Sequence, residues 1–215
     1  MIEPMNRDMH RQSSQLISRR LLLLGATAFV AGCGIVPEVN TPLTLYSLSP
    51  KVTPVAGPSA LNWQLVVAEP KAGADLATNR IALTRAANRI EYFADGVWSD
   101  AAPALVQSKL IAAFEDVVPE LAVGRDSAGL KPDYILQLEL RDFEAVYSGS
   151  NGEALVRLTA KLVKMPERKI VKSVSAEARR PSSGSGLPGI VTAFEAALGD
   201  VFSQLIAAVL AAPQS

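Results

Sequence analysis

YILQLELRDFEAVY, residues 134–147, is the stretch whose reading decides the fold. Tyr134, Leu136, Leu138 and Leu140 alternate with Ile135, Gln137, Glu139 and Arg141, and a period of two puts each set on one face of a β-strand. The two faces differ in polarity less than a simple alternation would, because Ile135 falls among the polar set. GEALVRLTAKLVKM (residues 152–165) and RKIVKSVSAEARR (residues 168–180) follow with the same periodicity. Turn residues separate them, so the three stretches read as an antiparallel meander.

Upstream, LTLYSL (Leu43–Leu48) alternates large apolar and small polar groups, a strand pattern. A Pro-rich loop, SPKVTPVAGPSA (Ser49–Ala60), separates it from WQLVVAEP (Trp63–Pro70), a buried strand stopped by proline. Two short strands are expected over Arg80–Thr84 and Arg89–Phe93, the second ending at Asp95-Gly96, a strong turn signal. From Pro103 the period becomes helical: Leu105, Leu110, Ile111 and Phe114 recur along one stripe, with Pro119 beyond the end. A last helix is expected over about Leu187–Ala212, carrying Ile190, Phe194, Ala197, Leu198, Val201, Leu205 and Val209 on one side. The order predicts an α+β fold: a single domain, mainly an antiparallel sheet, with two principal helices packed on one face.

At 215 residues and 49% hydrophobic, the chain can bury a substantial core, and its length favours one domain over two. The formal charge is zero. Residues 1–32 hold four Arg and two acids, which leaves 17 basic and 19 acidic groups beyond them. Such balance gives no footprint for a nucleic-acid backbone, so no nucleic-acid partner is expected. The one histidine, His10, lies in the first 32 residues and the one cysteine is Cys33, so a mature domain beyond them lacks the usual zinc, haem and Ser-His or Cys-His chemistries and keeps only carboxylate-based sites open. The expectation is a protein without enzymatic activity, with no catalytic, metal or cofactor-binding residues.

Three features invite chemistry and are better explained without it. GSGLPG (Gly184, Gly186, Gly189) matches a dinucleotide fingerprint, but such a fold needs the loop inside a β-α-β unit with an acidic residue downstream. No second strand follows the helix, and Pro188 removes an N–H from the loop, so a flexible connector is the simpler reading. Glu139, Asp142 and Glu144 cluster on the central strand; the odd separation of Glu139 and Asp142 predicts opposite faces, and solvated strand carboxylates are expected. Trp98, between a turn and the first helix, is either a hydrophobic plug over the helix–sheet junction or an exposed partner contact, and Tyr147 at a strand end divides the same way.

SRRLLLLGATAFVAGCG (Ser18–Gly34) has the layout of an exported leader: Arg7, Arg11, Arg19 and Arg20, then an apolar run from Leu21 to Val30, then small residues. That run is too short to span a bilayer, which takes about 20 apolar residues. Val30-Ala31-Gly32-Cys33 resembles the lipobox of bacterial lipoproteins. The resemblance implies cleavage between Gly32 and Cys33, a diacylglycerol on the Cys33 thiol and acylation of the new amino terminus; only a thiol supplies the soft nucleophile for the thioether. An ordinary signal peptide followed by a free cysteine is the alternative, and an unpaired thiol is a liability in an oxidising compartment. Ser18-Arg19-Arg20-Leu21-Leu22 also resembles a twin-arginine export signal, and that route and the general one both stay open. The expected division is a signal peptide over 1–32, a lipidated tether over 33–42 (GIVPEVNTP after the cysteine) and one domain over 43–212.

The lipobox, tether, LYSLSP, IEYFADGVWSDAAPALVQSKLIAAFE, DYILQLELRDFEAVY, ALVRLTAKLV and the apolar C-terminal helix occur in an order that resembles the ABC-type transport auxiliary lipoproteins, the PqiC-like family. Leu45-Tyr46 stands where members often carry an aromatic pair. The resemblance implies a non-catalytic, membrane-anchored component of an MCE-type envelope system that moves lipids or other hydrophobic molecules. Its implied partners are an MCE-domain protein and, through it, an ABC permease and ATPase, with a homo-oligomer left open. Gly34 after Cys33 resembles the sorting pattern for the outer membrane, which puts the domain in the periplasm. The alternative is a periplasmic lipid carrier holding an acyl chain between helix and sheet.

Overall fold

The spine of the computed structural model is β7 (Tyr134–Ser148), fifteen residues long and paired on both edges. The structure describes residues 43–54, 61–126, 129, 131–184 and 186–212. One edge of β7 pairs antiparallel with β8 (Asn151–Lys164), which pairs antiparallel with β9 (Lys169–Pro181). The expected meander is therefore present. Gly149, at φ 62°, turns the chain between β7 and β8, a left-handed conformation that glycine adopts without steric cost.

The other edge of β7 holds three short strands in succession, all parallel to it: β2 (Gln64–Val67) beside Tyr134–Leu136, β3 (Lys71–Ala72) beside Glu139–Leu140 and β4 (Arg80–Ala86) beside Glu144–Val146. Beyond β2 lies β6 (Ala122–Arg125), also parallel. Beyond β4 lie β5 (Arg89–Trp98), antiparallel, and then β1 (Thr44–Tyr46), parallel to β5. The sheet is mixed, with long antiparallel pairs and short parallel ones. Parallel partners need a long connection, and the chain provides one by passing from β5 through helix α1 (Ala102–Val117) and β6 before it reaches β7. Sequence periodicity marks strands but not their partners, so β3, β6 and the parallel pairings went unforeseen.

Two expectations are corrected. Asp95-Gly96 does not end β5, which continues to Trp98. A Cβ on Gly96 would lie 2.5 Å from Leu187 Cδ2 and 2.7 Å from Tyr46 Cε2, so the glycine marks a close approach within a strand rather than a turn. The tight turn of this hairpin is Ala87-Asn88, with Asn88 at φ 63°. Second, Glu139 and Asp142 share a face. The β7–β8 register shifts between Leu140 and Asp142, a bulge that makes Arg141 the extra residue. Tyr134, Leu136, Leu138 and Leu140 are buried before it, Phe143 and Ala145 after it, so the buried set changes from even to odd positions.

The helices cover the buried face of the sheet, and their apolar stripes join the strands in one core cluster. Helix α2 (Gly186–Leu210) is long and apolar enough to cross a membrane, but its buried residues include Phe194, Leu198, Val201, Phe202 and Leu205, all fixed in that core. Pro103 lies in the first turn of α1, where its missing N–H costs nothing. A strap, Ser49–Thr53, runs along α2: the Ser49 N–H donates to Glu195 Oε1 (2.9 Å) and the Thr53 N–H to Ser203 Oγ (3.1 Å). Four extended residues rise about 13 Å and eight helical residues about 12 Å, so the two segments stay in step.

Candidate functional site

Val30, Ala31, Gly32, Cys33, Arg19 and Arg20 lie outside the described residues, so the lipidation and export sites rest on sequence alone. Among the described residues, no three His, Cys, Asp or Glu side chains converge as a metal set.

Trp98 is 1% exposed. Its ring lies 5.4 Å from Phe143 and 5.2 Å, edge-on, from Phe194, and those two are 4.8 Å apart. The three rings join β5, β7 and α2, which makes Trp98 the junction plug and leaves no indole surface for a partner. Its Nε1 is buried without a hydrogen-bond acceptor. Tyr147 is half-buried, 6.4 Å from Phe93 and with the Arg85 guanidinium 5.2 Å from its ring centroid. Burial pushes its phenol above the ordinary value, and the Arg85 charge pulls it partly back.

The outward face of the meander carries a ladder of ion pairs. Arg157 pairs with Asp142 and reaches Glu177 at 3.8 Å, while Arg179 pairs with Glu153 at 2.7 Å and Glu177 at 3.3 Å. Arg179 donates a hydrogen bond to Glu153, and that bond is the main cause that raises the guanidinium pKa. Glu139 pairs with Arg141 at 2.8 Å, and Glu144 accepts a hydrogen bond from Thr84 Oγ1. The three carboxylates of the central strand are thus held by cross-strand and neighbouring partners. Solvent reaches the ladder, so each pair contributes at most about 1 kcal/mol.

Gly184, Gly186 and Gly189 shape the start of α2 rather than a flexible connector. Gly186 sits at φ 74°, and a Cβ on Gly189 would lie 2.8 Å from the Gly184 carbonyl oxygen. The stripe that a lipid carrier would need, Phe194, Leu198 and Leu205, is fully buried as core. A groove of about 710 Å³ lies instead between the strap and α1, lined by Leu48, Val52, Pro54, Ala112 and Val117 with Lys51, Lys109 and Asp116 at its rim. Sequence reasoning also missed Gln107, the buried polar side chain of α1, whose Nε2 donates to the Val67 carbonyl at 2.9 Å. A lone Gln among apolar helix positions is its only sequence signal.

Fold and surface together define an α+β domain, two helices on a large mixed sheet, whose aromatic and acidic side chains serve packing and surface pairing. The family model for the ABC-type transport auxiliary lipoprotein component matches residues 46–206. The chain belongs to that family. It is 32% identical over 152 residues to an uncharacterized protein of Bradyrhizobium diazoefficiens, an alignment covering 70% of this chain and 41% of that one. The chain thus spans about two fifths of the length of this curated relative. A crystal structure of a Xanthomonas campestris protein is similar with a TM-score of 0.72 at 31% identity, over 78% of this chain and 94% of that one. A second crystal structure, of an uncharacterized protein, shares the fold alone: TM-score 0.58 at 15% identity, over 78% of this chain and 96% of the other.

Proposed function

We propose that this protein is a membrane-anchored, non-catalytic auxiliary component of an MCE-type ABC system that moves lipids or other hydrophobic molecules across the cell envelope. The observation that carries the proposal is the family match over 46–206, with the Val30-Ala31-Gly32-Cys33 lipobox a short tether upstream. In this reading residues 1–32 are the signal peptide, Cys33 is the first residue of the mature protein and carries the lipid, and residues 33–42 lead to the folded domain. One acyl chain holds a protein to a bilayer only marginally, whereas the two or more of a lipidated, acylated cysteine hold it stably. The domain then faces the periplasm, with the outer membrane as its anchor site, and its partners are an MCE-domain protein and, through it, an ABC permease and ATPase. The burial of Phe194, Leu198 and Leu205 disfavours the carrier alternative, since the stripe offers no chamber.

Fractionation after Cys33→Ala tests the anchor. The expected result is loss of the protein from the membrane pellet; a variant whose leader is cut but which still pellets overturns it. Affinity purification from crosslinked membranes tests the system, and the expected result is recovery of an MCE-domain protein with an ABC permease. Recovery of neither, at full expression and full lipidation, would remove the transport assignment.

A further inference from the structure

The charge of the folded domain is segregated. Between Lys161 and Lys172, KLVKMPERKIVK, stand five cations (Lys161, Lys164, Arg168, Lys169 and Lys172) against one acid, Glu167. The rest of the chain beyond residue 32 holds twelve basic and eighteen acidic groups. The twelve residues form the end of the β8–β9 hairpin, with Met165–Arg168 as its turn. Of the ion pairs of the meander, Arg179–Glu153 and Arg180–Asp200 lie towards its other end and Arg157–Asp142 at mid-strand.

Three further observations set this end apart. Lys164 and Lys169 are direct cross-strand partners, which brings two cations together beside the turn. Ile170 is 51% exposed among these cations. The hairpin also projects past α2. Arg180 pairs with Asp200 and the Gln204 side chain reaches the Glu177 carbonyl, so α2 runs antiparallel to β9. The helix ends six residues after Gln204, about 9 Å on, which matches about three strand residues and brings it level with Val174. Lys172, Ile170 and Lys169 continue beyond it, all exposed.

We infer that the β8–β9 hairpin end is a second membrane contact, a cationic tip that docks on anionic lipid headgroups. Cations arranged around a turn and over both strand faces suit a plane of headgroups. Long lysine stems keep their charge at the phosphate level while an apolar neighbour enters the acyl boundary, and Ile170 is that neighbour. The lipid anchor then fixes where the domain is held, and the tip fixes how it faces the bilayer; only the anchor belongs to the proposed function above.

The test uses the full lipidated chain carrying Glu167→Cys, labelled with an environment-sensitive dye and reconstituted into vesicles of phosphatidylcholine alone or with one third phosphatidylglycerol. Because a lipidated Cys33 has no free thiol, one dye per chain is expected, and two dyes per chain report failure of the lipidation reading independently of the tip. A blue shift of the dye, with slowed amide exchange over 161–173, is expected only with phosphatidylglycerol and is reversed by high salt. Removing one cation, as in Lys169→Gln, weakens the contact about fivefold, whereas Lys71→Gln leaves it unchanged. Dye and exchange signals indifferent to lipid charge overturn the inference. The same signals appearing only on addition of an acidic polypeptide overturn it in favour of a protein partner.

Discussion

Trp98 shows how one side chain ties the two layers together. It sits at the end of β5, its ring packs on Phe143 of β7 and Phe194 of α2, and its Nε1 has no acceptor. Trp98→Ala removes the junction and is expected to cost about 3–5 kcal/mol in urea unfolding. Trp98→Phe keeps a ring and gives up an N–H with no hydrogen bond to lose, so it should cost well under half of that; equal losses from both substitutions would mean that the indole N–H matters more than its packing. Tyr147 supplies a pH response. Its folded pKa stands above the unfolded value because burial disfavours the phenolate, so its contribution is complete below about pH 10 and is lost as pH rises through the folded value. Tyr147→Phe should therefore flatten the fall of the melting temperature above about pH 10. An unchanged alkaline profile would assign that fall to other groups. That Trp98 and Tyr147 mattered was legible from their positions at element ends. Which neighbours enclose Trp98 was not, since Phe143 and Phe194 lie 45 and 96 residues from it in the chain.

Among the elements, β7 was legible as a strand because its period of two is sustained from Tyr134 to Leu140. The bulge at Arg141 was not, because a single inserted residue looks the same in sequence as a change of face. Its consequence is large: without it Phe143 and Ala145 would turn outward and Asp142 and Glu144 inward. Ile135, the anomaly of the polar set, is half-buried and lies beside the buried Val66 on β2 and Val163 on β8, an apolar row across the outward face. The strap illustrates the same limit. SPKVTPV reads as a loop, yet Ser49–Thr53 is pinned to α2 where a Cβ on Gly199 would lie 2.3 Å from the Lys51 carbonyl oxygen. Gly199→Ala should push the strap from the helix, costing about 1–3 kcal/mol and speeding protease cleavage between Ser49 and Pro54. Wild-type stability and cleavage rate would show that the strap absorbs the methyl group without moving.

For the whole molecule, composition and periodicity carried the class. An apolar core large enough for one domain, two helical stripes and a run of alternating strands allow few architectures other than helices against a sheet. The order of segments carried the family, which the match over 46–206 bears out. The proposed anchor is read from local chemistry alone, four adjacent residues behind an apolar run, and lies outside the described residues. By itself the sequence determined what lies close along the chain: helix and strand periods, the apolar stripes and the lipobox-like run Val30–Cys33. Tertiary structure alone decided the parallel pairing of β2, β3 and β4 along β7, the shared face of Glu139 and Asp142, the closure of aromatic rings around Trp98 and the projection of the basic hairpin past α2. Each depends on register or packing between segments tens of residues apart. Many pairings would satisfy the same alternation, and only the one that closes a common core is kept.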